Sequence, residues 1–178
     1  MNPVFYDCEA TGPNGYPIEV GWAYIDEAGA LVSEGHLIRP PAEWDIESVW
    51  NEQAETIHNI PLALLRDHGR PAFQVAKRMN EALTGRELFS DGSADEDWLR
   101  KLFDAAGEEP SFTIRRTLAN TVILRGAAAR DLSDTSIIKA AQETSRTFPH
   151  THRAEPDARH LAALWGILSV VASRSCAT

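Results

Sequence analysis

The sequence predicts an α/β fold in which helices flank a mixed β-sheet. Three observations lead there. The first forty or so residues hold three β-rich stretches joined by turn clusters. Short β-rich stretches then alternate with stretches of helical periodicity. The chain closes on a long apolar helix.

The elements follow in order. Pro3 to Glu9 reads as a strand, with Val4, Phe5, Tyr6 and Cys8 as β-formers. Thr11-Gly12-Pro13-Asn14-Gly15 is a turn cluster. Ile18 to Ile25 is a second strand, Asp26 to Gly29 turns, and Ala30 to Ile38 is a third, which makes an antiparallel meander. Pro40-Pro41 stops it. Ile46 to Ile57 reads as a helix, and Pro61 and Pro71 sit where first helical turns accept proline. Ala72, Val75, Ala76, Met79, Ala82 and Leu83 form one face of a helix that ends at Gly85. Glu87 to Ser90 is a short strand, Asp95 to Ala106 a helix closed by Gly107, and Phe112 to Arg115 a last strand. Residues 117–148 read as mostly helical without a clean pattern. Pro156 to Ser173 is the final helix.

Composition bounds the function. A chain of 178 residues is one domain, 1–178, on ordinary size grounds. With 43% hydrophobic and 24% charged residues it is neither disordered nor collagen-like. Two cysteines, Cys8 and Cys176, exclude a disulfide framework and a cysteine-rich zinc site. The N-terminus lacks the pattern of a secretory signal. The longest apolar run, Leu161 to Ala172, is about 12 residues, short of the ~18 a membrane span needs. The expectation is a reduced, cytoplasmic protein with no membrane partner. Net charge is −9, but residues 1–110 carry 8 Lys/Arg against 21 Asp/Glu, and residues 111–178 carry 9 against 5. An acidic front with a basic back fits metal ions at one end and a polyanion held from the other; it also fits an ordinary globular surface.

The informative residues are acids on core-facing positions. A period of two puts Phe5, Asp7 and Glu9 on one strand face. The helix after Ser90 has its apolar stripe at Trp98, Leu99, Leu102, Phe103 and Ala106, and Asp95 continues that stripe one turn back. The final helix has its stripe at Leu161, Leu164, Trp165, Leu168 and Val171, and Asp157 lies one turn before Leu161. Asp157 alone is explained by a helix first turn, and Asp95 alone by an N-cap. Buried carboxylates converging from three elements instead call for cations. Hard oxygen ligands select Mg²⁺ or Mn²⁺ over zinc. Two such ions about 4 Å apart would clamp the attacking and leaving oxygens of a phosphodiester displacement. A base must then take a proton from water. His152, five residues before Asp157, suits that task, with His150 as the alternative.

These residues resemble a known family. Asp7-Cys8-Glu9-Ala10-Thr11-Gly12 resembles the D-x-E-x-T-G motif of the DEDDh 3′–5′ exonucleases, the RNase T and DnaQ-like superfamily with a ribonuclease H-like fold. Pro17-Ile18-Glu19-Val20-Gly21 resembles its next strand, and Ile57-His58-Asn59-Ile60 its I-H-G-I segment with Asn59 in place of glycine. Ser90 to Asp95 fits the frame of H-N-x-x-F-D with only the last Asp matching, followed by Trp98-Leu99 where the family has an aromatic-leucine pair. His152 to Asp157 resembles H-x4-D with the frequent H-R-A start.

The resemblance implies that Asp7, Glu9, Asp95 and Asp157 hold two divalent ions and that His152 is the general base. It implies release of nucleoside 5′-monophosphates from a 3′ end. Thr11 and Gly12 would seat the terminal nucleotide, and Arg153, beside the base, would contact phosphate. The expected partners are single-stranded DNA or RNA 3′ ends or short oligonucleotides. Arg115, Arg116, Arg125, Arg130 and Arg146 are further phosphate candidates, and Tyr16, Trp44, Trp50 and Phe148 are candidates to stack on bases, with solvation and packing as the ordinary alternatives. A catalytically silent scaffold and a polymerase proofreading subunit are the competing readings. Trp165 on the final helix belongs either to the core or to a homodimer face.

Overall fold

Alternation along the first strand sets the two faces of the molecule. The computed structural model describes the backbone of residues 1–175 and the side chains of residues 1–170. Val171 of the expected final stripe and Cys176 fall outside the described side chains. β1 (Val4–Ala10) pairs antiparallel with β2 (Pro17–Ile25), and β2 pairs antiparallel with β3 (Leu31–Arg39). This is the expected meander. The chain continues through α1 (Glu52–His58), α2 (Leu62–His68), the two-residue β4 (Arg70–Pro71) and α3 (Ala72–Leu83). β5 (Glu87–Phe89) returns parallel to β1 at Val4 and Phe5. Then come α4 (Asp95–Ala106), β6 (Thr113–Ile114), α5 (Ala119–Ala128), α6 (Asp134–Thr147) and α7 (Ala154–Ser175). The mixed sheet has six strands in the order β4-β3-β2-β1-β5-β6.

Even-numbered β1 residues, Val4, Tyr6 and Cys8, pack with Val20 and Trp22 against α3 and α4 through Val75, Met79, Leu99, Leu102 and Phe103. On the opposite face, Phe5 and Ala23 pack with α5 and α7 through Ile123, Ala158, Leu161, Ala162 and Leu168. Each fully buried Leu or Phe here contributes on the order of 1.5–3 kcal/mol. That is the reserve from which a cluster of buried charge can be held. Trp165 lies within the chain, 6.4 Å from the Phe5 ring, with the Arg130 guanidinium 4.8 Å over it.

One expected element is shorter than read. The helix expected over Ile46–Ile57 begins only at Glu52. Asn51 is extended (φ −111, ψ 111), its side chain accepts from the N–H groups of Gln53 and Ala54, and its own N–H donates to Thr11 O at 2.9 Å. That last bond ties residue 51 to the turn after β1 and holds it outside the helix. Ile46 instead joins Ile18, Ile60 and Leu65 in a third apolar cluster, with Tyr16, Trp44 and Trp50 against it. The helical region 117–148 resolves into α5 and α6, and the final helix starts two residues earlier than expected, at Ala154.

Candidate active site

Cross-strand partners share a face, so the β1 register decides what stands beside Asp7 and Glu9. Their partners on β2 are Gly21 and Glu19. All four therefore point to the α7 side of the sheet, with Phe5 and Ala23. Asp157 lies in the first turn of α7, 9% exposed, at the end of the stripe that packs on Phe5. Asp95 reaches the cluster from the other face. Because β5 pairs with Val4 and Phe5, the chain leaves the sheet at Phe89, opposite Phe5, and passes toward Asp7 as it turns into α4. Asp95 is the first residue of that helix and only 2% exposed; Ala94 holds the capping position, so Asp95 is not an N-cap.

The carboxylates form two groups. Oxygens of Asp7, Glu9 and Asp157 lie within 4.8 Å of one another, and so do oxygens of Asp7, Asp91 and Asp95. Asp7 belongs to both. The four acids singled out from the sequence thus come together. Asp91 is a fifth, which the sequence places in the frame of the second motif but not among the four ligands. Its signal was present: it stands where the second motif has an amide residue.

Such crowding has an electrostatic consequence. Burial, and after it the negative charges of Asp95, Glu9, Asp157 and Asp91, push the Asp7 carboxyl well above the usual carboxylate range. Glu9 is pushed up to about 8, by burial first and then by Glu19 and Asp157. Asp95 is pushed up to about 7, chiefly by burial, against the pull of polar groups at Ser90, Gly92 and Cys8.

The residues present fit divalent cations. Every donor is a carboxylate oxygen, the hard ligand that Mg²⁺ and Mn²⁺ take. Asp95 Oδ2 is buried with no hydrogen-bond partner. A Cβ on residue 92 would sit 2.5 Å from that same oxygen, so only glycine leaves it this room. A buried, unpartnered carboxylate oxygen beside two other acids has the chemistry of a ligand position.

Around the acids, the remaining predicted residues take these places. His152 is exposed and adopts the left-handed conformation (φ 53). Its N–H and that of Thr151 donate to the two oxygens of Asp157 at 3.1 and 2.8 Å. His150 Nδ1 lies 3.6 Å from Asp157 Oδ1, and its ring sits 4.0 Å from that of His160. Both histidines named from the sequence therefore stand at the rim of the cluster. Arg153 is paired within the chain: its Nε and Nη2 donate to Glu19 at 2.9 and 2.6 Å. Thr11 is buried, and its hydroxyl accepts from Tyr16 N–H at 3.1 Å, closing the turn rather than opening toward solvent. Gly12 packs on Asn51, whose Cβ would be 3.1 Å from a side chain there.

Tyr16 and Trp44 stack on each other at 4.5 Å, and Trp50 Nε1 donates to Glu55 at 2.6 Å. Arg115 pairs with Glu87, and Arg116 Nε lies 3.4 Å from Glu96. His58 Nδ1 accepts from Ile60 N–H at 3.0 Å, and Asn59 closes α1 with φ 56. Asparagine, like glycine, tolerates that conformation.

No sequence-family profile and no curated protein matches the chain. Its fold does have solved neighbours. E. coli exonuclease I in complex with a dA16 oligonucleotide superposes with a TM-score of 0.68 at 14% identity, over 98% of this chain and 42% of that one. Exonuclease X in complex with 5′ overhanging duplex DNA superposes with a TM-score of 0.55 at 20% identity, over 94% of this chain and 91% of that one. The chain thus has the fold of these exonucleases and spans about two fifths of the length of exonuclease I. No helix among the described residues is long and apolar enough to cross a membrane.

Proposed function

We propose that this chain is a metal-dependent 3′–5′ exonuclease that hydrolyses single-stranded DNA or RNA from the 3′ end and releases nucleoside 5′-monophosphates. The observation that carries the reading is the pair of carboxylate groups sharing Asp7, on a fold also found in exonucleases I and X. Asp7, Glu9 and Asp157 would hold one Mg²⁺ or Mn²⁺ ion, and Asp7, Asp91 and Asp95 a second. Bound there, two ions would activate water and neutralise the charge that develops on a phosphodiester in displacement.

The chain's own residues do the rest. The Thr151 and His152 amides orient the Asp157 carboxylate. His152 Nε2 or Nδ1 accepts the proton that the attacking water releases. Its exposure on a loop before α7 leaves the ring room to reach a substrate. His150 supports a second assignment of the base, because its ring nitrogen is within 3.6 Å of Asp157. Thr11 and Gly12 act through the backbone of the turn that would meet the terminal nucleotide.

The test uses the pure protein with 5′-labelled single-stranded RNA and DNA, in Mg²⁺, in Mn²⁺ and in EDTA, beside Asp7→Ala. A metal-dependent ladder that shortens from the 3′ end and vanishes in Asp7→Ala is expected. Cleavage that persists in EDTA, or no cleavage of either polymer with either metal, would overturn the reading. The second outcome leaves the silent scaffold and the complex-dependent subunit.

A further inference from the structure

Three of the site's groups, Asp157, His152 and His150, sit on or just before α7, whereas Asp7 and Glu9 sit on β1. Something must register the helix start against the strand. The row that does so runs across the sheet from Asp7 to Gly21 on β2 and Gly35 on β3. Two of its three members lack a side chain. A Cβ at Gly21 would fall inside the Ala154–Glu155 backbone, and one at Gly35 would sit 2.7 Å from Glu155 Cβ. The first turn of α7 therefore lies directly on strand backbone, closer than any side chain permits.

Charge holds what the notch admits. Glu19, 5% exposed, is two residues from Gly21 on the same face. Its carboxylate accepts from Arg153 Nε and Nη2 and from Ala154 N–H, the last at 3.0 Å. It thereby supplies the helix start with a negative charge and a capping acceptor from 135 residues away. On the far side of Gly35, Ser33 Oγ donates to Glu155 Oε1 at 2.7 Å. Gly35 and Ser33 lie on β3, which contributes no carboxylate to the site.

We propose that Gly35, Gly21 and Glu19 are positioning residues: a side-chain-free notch and a buried acid that fix the depth and register at which α7 presents Asp157 and His152 to the β1 acids. The inference rests on the hydrolytic reading above for its kinetic readout but not for its binding readout.

Gly35→Ala is the decisive variant. No positive φ is needed at that position, so alanine acts only through its Cβ. The three nearest atoms it would meet all belong to the Glu155 side chain. We expect kcat to fall at least tenfold with the oligonucleotide KM within about threefold, because the displaced groups act on the reacting phosphate and not on the strand as a whole. The half-saturating Mn²⁺ concentration, read by electron paramagnetic resonance of free Mn²⁺, should rise. Adding Glu155→Gly removes the collision and should restore both readouts to within about threefold of Glu155→Gly alone.

A Gly35→Ala protein that keeps kcat and Mn²⁺ affinity would overturn the proposal. So would a loss that Glu155→Gly does not rescue, since that marks general destabilisation. If Gly35→Ala does not fold, Glu19→Gln, which keeps an acceptor for Ala154 but loses the ion pair with Arg153, should show the same fall in kcat; unchanged kcat there overturns the proposal. If the wild-type protein hydrolyses nothing, the exonuclease reading fails and the Mn²⁺ titration alone decides the positioning: weakened and rescued supports it, unchanged overturns it.

Discussion

Replacing Asp95 with asparagine should stabilise the protein in EDTA at pH 8 and fail to do so at pH 5. Asp95 is 2% exposed, one of its oxygens has no partner, and its proton is held up to about pH 7. An ordinary aspartate releases its proton near pH 4. Between those values the folded chain keeps a proton that the unfolded chain has lost, so stability falls as pH rises through the window. At about 1.4 kcal/mol per pH unit, the carboxylate costs the folded state about 4 kcal/mol by pH 8. Asparagine escapes that cost but brings its own. Its NH₂ group must reach the oxygens of Asp7 or Asp91 without the geometry of the carboxyl it replaces, at about 1–3 kcal/mol, and the helix start loses a favourable negative charge worth about 0.3–1 kcal/mol. The balance at pH 8 is a gain of about 1–2 kcal/mol, or ~2–8 °C in Tm.

At pH 5 the folded carboxyl is already protonated. The gain shrinks to less than the costs, and Asp95→Asn should then be neutral or slightly destabilising. Thermal melts by circular dichroism in EDTA at both pH values measure this. A variant destabilised by the same amount at pH 5 and pH 8 would refute the reasoning, because Asp95 would then be serving its helix and not waiting for a cation.

Three further outcomes are expected. The wild-type Tm in EDTA should fall from pH 5 to pH 8, as Glu9 and Asp95 lose protons near pH 8 and pH 7, and Mg²⁺ should raise it more at pH 8 than at pH 5; differential scanning calorimetry reads both. His152→Ala should lower kcat by about 10²–10⁴, and His150→Ala by only a few-fold; the reverse pattern in single-turnover assays assigns the base to His150. Asn59→Gly should leave stability within about 0.5 kcal/mol, whereas Asn59→Val should lose about 1–2 kcal/mol in urea denaturation, because φ is 56 there.

What could be read from the chain, and what could not, follows from the range of the forces involved. Alternation on β1 and one-turn steps on α4 and α7 are local, and they placed Asp7, Glu9, Asp95 and Asp157 on inward faces before any contact was known. The late start of α1 is a tertiary effect: Asn51 is held by Thr11, forty residues earlier. Asp91 looks like any acid in a turn until β5 returns beside β1 and carries it to Asp7. Arg153 next to a histidine reads as a phosphate contact. Its ion pair with Glu19, 134 residues away in sequence, is one that no periodicity reveals. Glu19 was visible only as part of a strand motif. Gly21, two residues on, was visible only as the last member of that same motif.

The sharing of Asp7 between two carboxylate groups has a consequence for the order of events at this surface. Five acids of a chain with net charge −9 converge on one small patch. Without cations, and above the pH at which Glu9 and Asp95 release their protons, that patch presents a field that repels a polyanion. A nucleic acid end has no electrostatic reason to arrive first. Cations offset most of that charge, and because Asp7 serves both groups, filling one changes the field felt by the other. Metal and substrate would then bind as a sequence rather than as independent partners. The salt and metal dependence of substrate association would be steepest where the second group fills, and an ion-poor protein would shield nucleic acids from its own chemistry by simple repulsion.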